Sequence, residues 1–205
     1  MTGRPAVVTV GNFDGVHVGH QYMLRQVVDR ARALGMRSLA VTFDPDPQVV
    51  LRPDQPFVAL TELPEKLRLL RELGLSDIWV CPFTPHVAAM GPAEFIAEVQ
   101  QHGPVAELWV GSDFALGRDR AGTIPVLVQL GAEQGWGLHV VPPFRLDGTV
   151  VSSSRVRAAL SGGDAAEAAR LLGRASVHAA LQAGPAGACR DVPTGRTTDP
   201  LVSPL

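Results

Sequence analysis

The sequence VVTV at residues 7–10, followed by GNFDGVHVGH at residues 11–20, decides the fold of this chain. The first run is apolar apart from one threonine, as in strands that are buried on both faces. Residues 22–34 then place apolar side chains on one stripe, which predicts a helix that begins near Gly19. A turn from a strand into a helix presents free backbone N–H groups and the positive end of the helix dipole, which favours a bound phosphate. The opening of the chain therefore predicts a strand, a nucleotide-binding loop and a helix.

Three glycines and two histidines give this loop its predicted chemistry. Gly11, Gly15 and Gly19 let the backbone turn sharply and approach a ligand closely. His17 and His20 lie three positions apart at the helix start, so both rings can face one pocket. Imidazoles can donate to the oxygens of a polyphosphate and stabilise the charge that develops as pyrophosphate leaves. Each histidine could instead be an ordinary turn residue, but the position between a buried strand and an amphipathic helix favours the catalytic interpretation.

The remainder of the chain alternates between strand and helix patterns. Apolar runs predict further strands at residues 38–43, 78–81, 108–110 and 138–141. Apolar stripes predict helices at residues 62–73, 92–101, 124–134, 154–160 and 165–172. This alternation predicts an α/β fold with an open parallel sheet and right-handed crossovers.

Composition limits the classes of function. A net charge of −2 without a Lys/Arg block gives no reason to expect a nucleic-acid partner. No apolar run approaches the roughly 20 residues that span a bilayer, so we expect no membrane segment and, by default, a cytoplasmic location. The two cysteines lie far apart without metal-binding spacing, and Cys81 is expected to be a buried strand residue. We expect one domain over residues 1–174 and a low-complexity, disordered tail over residues 175–205.

A second candidate site is the sequence VSSSRVR at residues 151–157. Serine is a good helix N-cap, and Arg157 would lie one turn along, on the face of Ser153 or Ser154. Hydroxyls, free N–H groups and a guanidinium together can bind an anion. The alternative is a plain serine cap beside a solvated arginine.

Two further loops leave predicted strands. In VGSDFALG at residues 110–117, Asp113 could accept a hydrogen bond from a sugar or a base or help to hold a metal, although an Asx turn is an equal alternative. In TFDPDP at residues 42–47, two prolines stiffen the loop and Phe43 offers a flat apolar face for an aromatic ring. That loop could equally be a rigid connection.

These motifs and the sequence LTELPEK at residues 60–66, taken in this order, resemble the adenylyltransferase module of prokaryotic FAD synthetases. Those enzymes are usually bifunctional riboflavin kinase/FMN adenylyltransferases. The resemblance runs from about residue 6 to residue 174. It implies a Rossmann-like open parallel sheet of the nucleotidylyltransferase type, ATP and FMN as substrates, and Mg²⁺. It also implies FMN adenylyltransferase activity, with His17, His20 and Arg157 as the catalytic residues.

The same resemblance implies two sets of binding residues. The ATP-binding set is Gly11, Phe13, Gly15, His17, Gly19, His20, Ser153, Ser154 and Arg157. The FMN-binding set is Phe43, Pro45, Asp46, Pro47, Asp113 and Leu116. Family members usually carry histidine where Asp46 stands, and a carboxylate there could repel the FMN phosphate. No kinase-like segment follows Arg174, so we expect the adenylyltransferase module without a riboflavin kinase module.

Three functions stay open from the sequence. The first is transfer of AMP from ATP to FMN, which gives FAD and pyrophosphate. The second is nucleotidylyl transfer to another phosphorylated acceptor, such as a pantetheine or nicotinamide phosphate. The third is a catalytically weak flavin- or nucleotide-binding module that acts through a partner protein. The sequence predicts neither the metal ligands nor the oligomeric state.

Overall fold

A five-stranded parallel sheet forms the centre of the part of the chain that the computed structural model describes, residues 3–175. Its strands are β1 (Ala6–Val10), β2 (Arg37–Asp44), β3 (Asp77–Pro82), β4 (Val105–Gly111) and β5 (Gly137–Val141), in the order β3-β2-β1-β4-β5. All four neighbouring pairs are parallel. The prediction of a Rossmann-like open parallel sheet is confirmed, whereas the tail predicted from residue 175 lies, apart from that residue, outside the described residues.

Helices connect the strands. They are α1 (Val18–Ala33), α2 (Pro47–Leu51), α3 (Leu63–Glu72), α4 (Pro85–Ala89), α5 (Pro92–Gln100), α6 (Ile124–Gln134), α7 (Ser153–Ser161) and α8 (Ala165–Leu172). A small antiparallel hairpin, β6 (Arg145–Leu146) and β7 (Thr149–Val150), precedes α7. We did not predict α2, α4 or the hairpin, because elements of two to five residues are too short to show a hydrophobic period. Among residues 3–175, no helix combines the length and the apolar character that crossing a membrane requires.

Both faces of the sheet are covered, which explains why its strands are apolar without alternation. Successive strand residues point to opposite faces, so Val7 and Val8 belong to different core clusters although both are fully buried. Val7 packs with the apolar stripe of α1, and Val8 packs with residues of α5 and α6. Cys81 is buried in the second of these clusters, as expected.

The fold brings three loops to one edge of the sheet. Strands β2 and β3 follow one another on one side of β1. The chain then crosses to the other side of β1, where it forms β4 and β5, so the direction in which strands are added reverses between β1 and β4. In open α/β sheets, ligands bind beyond the carboxyl ends of the strands at such a switch point. The loops that leave β1, β2 and β4 all begin at this edge, and they contain the predicted motifs. Helices α7 and α8 lie beside these loops and are held there by a small apolar cluster, which consists of Leu60, Val151, Val156, Leu171 and Leu172.

Candidate functional site

A cavity of about 540 Å³ opens at this edge of the sheet, a size typical of small-molecule sites. Its lining includes the aromatic rings of Phe43, Phe83, Phe95 and Phe114. The ring centroid of Phe43 lies 5.4 Å from that of Phe83 and 6.0 Å from that of Phe95, so these rings form one apolar wall. Polar groups of Asn12, Asp14, Ser153 and Arg157 also line the cavity. The cavity therefore suits a ligand with a flat apolar part and a charged part.

The loop between β1 and α1 has a strained backbone. Phe13, Gly15 and Val16 have positive φ angles of 50°, 80° and 38°. This conformation suits Gly15 but is costly for Val16, because a β-branched side chain disfavours the left-handed region. Gly11 and Gly19 serve a different purpose from the sharp turn that we predicted: a Cβ on Gly11 would lie 2.9 Å from the Phe13 ring, and one on Gly19 would lie 3.3 Å from the Val151 carbonyl oxygen. They permit close packing rather than a reversal of the chain.

His17 is buried and caps the helix that follows it. Its Nδ1 accepts a hydrogen bond from the backbone N–H of His20 at 3.2 Å. This bond leaves Nε2 as the protonated nitrogen of the neutral ring. Burial lowers the pKa of His17 from 6.5 to about 4, so the ring is neutral at pH 7. His17 can therefore donate from Nε2 without bringing a net charge.

His20 stacks on His17, and the two ring centroids are 3.6 Å apart. Burial, followed by electrostatic coupling to His17 and by the charge of Lys66, lowers the pKa of His20 well below its ordinary value. Its Nδ1 is buried and has no hydrogen-bond partner among the described residues, and the same holds for Oδ1 of Asn12. Buried polar atoms are rarely left without partners, so a bound ligand or an ordered water would satisfy these two. Asn12 lines the cavity, whereas His17 and His20 lie outside its lining.

Asp14 organises the polar wall, and we did not select it from the sequence. Its buried carboxylate accepts hydrogen bonds from the backbone N–H of Leu60 at 2.9 Å and of Thr61 at 3.2 Å, and it forms an ion pair with Arg157. Burial raises the pKa of Asp14, whereas the Leu60 N–H and the Arg157 charge act in the opposite direction. The segment that contains Leu60 and Thr61 is thus tied to the loop after β1.

The VSSSRVR segment is the start of α7, close to the prediction. Ser152 is the N-cap, and Ser153 donates its hydroxyl hydrogen to the Asp14 carbonyl oxygen at 2.9 Å. Arg157 donates to the Val58 carbonyl oxygen at 3.1 Å, and its guanidinium carbon lies 4.9 Å from the centre of the Phe57 ring. Ser153 and Arg157 line the cavity, whereas Ser154 is exposed and lies outside the lining. Arg157, which we predicted to bind an anion, therefore already has a carboxylate partner in Asp14.

The predicted flavin-side residues divide into two groups. Phe43, Asp46, Pro47 and Leu116 line the cavity. Pro45 and Asp113 are exposed and lie outside the lining.

Asp46 is more firmly held than the sequence indicates. One of its carboxylate oxygens caps α2 by accepting from the Gln48 N–H at 2.9 Å, and the other accepts from the side-chain amide of Asn12. Lys66, which we also missed, is buried nearby and donates to the carbonyl oxygens of Asn12 at 3.3 Å and Phe43 at 3.2 Å. Asp46 and Lys66 therefore join the loop after β1 to the loop after β2.

Metal ligands are not assembled in the described part of the chain. Residues 3–175 contain no group of three or more histidine, cysteine or acidic side chains that could hold a metal ion. The carboxylate of Asp14, which lines the cavity, is occupied by two backbone N–H groups and Arg157. The described side chains alone therefore do not assemble a set of three such metal ligands.

A family model and the curated relatives agree on one family. Residues 1–155 match the family of FAD synthetases. A bifunctional riboflavin kinase/FMN adenylyltransferase of Pseudomonas fluorescens is 36% identical over 83% of this chain, and the chain spans only 55% of that relative's length. An FAD synthetase of Listeria monocytogenes is 32% identical over 83% of this chain and 69% of its own length. A solved structure of a macrolide-efflux protein from Streptococcus pneumoniae superposes with a TM-score of 0.76 at 28% identity, over 85% of this chain and 57% of that one.

Proposed function

Because the chain belongs to the FAD synthetase family, we propose that it transfers the adenylyl group of ATP to the phosphate of FMN, which gives FAD and pyrophosphate. The family supplies the class of reaction. The activity of this chain is a proposal, because the chain spans about half the length of the Pseudomonas relative. A cytoplasmic location for this reaction stays a prediction from the sequence.

One observation carries the proposal: the cavity joins an aromatic wall to the strained loop that precedes α1. A flavin needs a flat apolar surface, and four phenylalanines line the cavity. A phosphate needs donors, and the side chains of Asn12 and Arg157, which both carry several N–H groups, line the same cavity. We therefore place the acceptor phosphate and the triphosphate between these surfaces, on the side of the loop that carries the histidine pair.

The reaction needs no covalent intermediate with the protein. An oxygen of the FMN phosphate attacks the α-phosphorus of ATP in line. The new P–O bond forms as the bond from the α-phosphorus to the α,β-bridging oxygen breaks, and pyrophosphate leaves with that oxygen. Catalysis then consists of holding the two anions in line and stabilising the charge that moves onto pyrophosphate.

Two neutral histidines and one arginine would position the phosphates and stabilise their charge. His17 is buried, His20 is half-buried and both rings are neutral, so they can donate hydrogen bonds to phosphate oxygens without bringing a charge. Arg157 supplies the positive charge, and Asp14, Val58 and Phe57 fix its position in the cavity wall. The Mg²⁺ that the resemblance implies would be held mainly by the phosphates of ATP, since the described side chains do not build a site for it.

A panel of acceptors tests the proposal. The purified chain is incubated with ATP, Mg²⁺ and, in separate reactions, FMN, nicotinamide mononucleotide or phosphopantetheine, and the adenylylated products are separated by chromatography. We expect FMN to be preferred by at least about tenfold in kcat/KM. Faster use of another acceptor would establish the second function left open by the sequence. Binding of FMN and ATP without turnover would establish the third.

A further inference from the structure

The strained loop between β1 and α1 is held by residues at the far end of the described chain. Val16 has a φ of 38°, which a β-branched residue does not adopt without external support. The carbonyl oxygens of Gly15 and Val16 both accept hydrogen bonds from Arg174, at 2.7 Å and 3.3 Å. The two residues joined by the first of these bonds lie 159 positions apart in the sequence. The support for the loop therefore comes from tertiary structure rather than from the loop itself.

Gln21, in the first turn of α1, makes further hydrogen bonds to the same two segments. Its side-chain amide donates to the Val16 carbonyl oxygen and to the Leu172 carbonyl oxygen, both at 2.9 Å. Arg174 also donates to Leu172, at 3.2 Å. Arg174 and Gln21 thus share two acceptors, one in the loop and one at the end of α8.

The end of α8 is shaped for this contact. Gly173 has a φ of 68°, and a Cβ at this position would lie 2.9 Å from Val18. The backbone therefore passes directly against the start of α1, which places the Arg174 side chain beside the loop. The Arg174 charge also contributes to the lowered pKa of His17, although burial is the larger cause. Both observations place the guanidinium next to the start of α1. Arg174 itself does not line the cavity.

We propose that Arg174, assisted by Gln21, is a positioning residue that keeps the loop at residues 13–17 in the conformation that presents the histidine pair to ATP. The proposal rests on the proposed function for its kinetic consequence but not for its structural one. A guanidinium suits this task because its planar donors reach several carbonyl oxygens at once. An ammonium at the same position would reach fewer of them.

Two readouts on Arg174→Ala, Arg174→Lys and Arg170→Ala test the proposal. Arg170 is the matched control, because it is an arginine of α8 whose partners are the carboxylates of Asp147 and Glu167. In Arg174→Ala, we expect the amides of residues 14–20 to exchange with deuterium at least about tenfold faster, while those of β1 are unchanged. We expect kcat/KM for ATP to fall about tenfold or more, with less than about a twofold change in KM for FMN. Guanidinium ion at millimolar concentration should restore part of the loss.

The lysine variant and the double variant keep the test decisive. If Arg174→Ala does not fold, Arg174→Lys is measured in the same way, and an intermediate loss is expected. Gln21→Ala combined with Arg174→Lys should deviate from additivity, because both residues donate to Val16. A folded Arg174 variant with unchanged exchange at residues 14–20, or with effects no larger than those of Arg170→Ala, overturns the proposal. If the wild-type chain makes no FAD, the proposed function fails, whereas the exchange measurement still decides whether Arg174 holds the loop.

Discussion

Replacing Asp14 by asparagine removes the charge that holds Arg157 in the cavity wall. The Asp14 side chain is 6% exposed and that of Arg157 is 30% exposed, so the pair is largely shielded from water. A neutral asparagine can still accept from the Leu60 N–H and from the guanidinium, but it cannot form an ion pair. A charge-assisted hydrogen bond contributes about 1.5–3 kcal/mol, but burial raises the pKa of Asp14 and so offsets part of this gain. We therefore expect Asp14→Asn to lower the free energy of unfolding by about 1–2 kcal/mol. For a chain of this size, that loss corresponds to a Tm lower by about 2–8 °C.

The same substitution should affect activity more than stability alone explains. Without its carboxylate partner, Arg157 loses its fixed direction, and the segment at Leu60 and Thr61 loses a charged acceptor. We expect kcat/KM for ATP to fall by at least about tenfold under conditions in which the variant is folded. The assay combines urea unfolding, followed by tryptophan fluorescence, with steady-state production of FAD.

Glu167→Gln is the matched control for this experiment. It breaks the ion pairs of Glu167 with Arg155 and Arg170. The side chains of Arg155 and Glu167 are 24% and 22% exposed. None of these three residues lines the cavity. We expect a comparable loss of stability with little change in kcat/KM. If Asp14→Asn and Glu167→Gln lower kcat/KM equally, or if Asp14→Asn costs less than about 0.5 kcal/mol, then Asp14 does not position Arg157.

Three further predictions concern the histidine pair and Asp46. His20→Ala should lower turnover at least tenfold, since loss of one such donor costs about 2.7–4 kcal/mol of transition-state stabilisation, whereas the exposed His86→Ala should have no effect. The pKa of His17 in the folded chain is about 4. Between pH 6.5 and 4, the unfolded chain therefore binds a proton at His17 that the folded chain does not bind. The free energy of unfolding falls as the pH drops through this window. At pH 4.5 the loss in free energy of unfolding is about 2.5 kcal/mol. Urea unfolding should show a smaller loss in His17→Asn, in which the asparagine can still cap α1. Asp46→Asn can keep the cap on α2, but it removes both the charge and the acceptor of the Asn12 amide. A carboxylate about 4 Å from the FMN phosphate would cost about 1–4 kcal/mol, so titration should show FMN binding tightened severalfold at low salt and less at high salt. Equal FMN affinity in the two forms would reject the repulsion.

Much of the fold follows from local patterns in the sequence. The apolar runs and stripes predicted all five strands of the main sheet and the longer helices, because a buried strand or an amphipathic helix needs those patterns wherever it lies. The run predicted at residues 38–43, for example, lies within β2, which extends one residue further at each end. Short elements such as α2 were missed because five residues carry too little periodicity.

The site was less predictable, because its organisation depends on distant partners. His17 and His20 could be selected from their spacing, but their stacking and burial could not. Asp14 stands between Phe13 and Gly15 in a turn, where an acidic residue is usually exposed. Its burial depends on backbone N–H groups 46 and 47 positions away and on an arginine 143 positions away. Lys66 and Arg174 were missed for the same reason.

The most direct measurement follows the α-phosphate of ATP. The purified chain is incubated with FMN, Mg²⁺ and ATP that carries a radioactive label at the α-phosphorus, and the products are separated by chromatography. We expect labelled FAD together with an equal molar amount of unlabelled pyrophosphate. Label recovered as AMP without FAD, or no labelled product from a folded chain, would contradict this expectation.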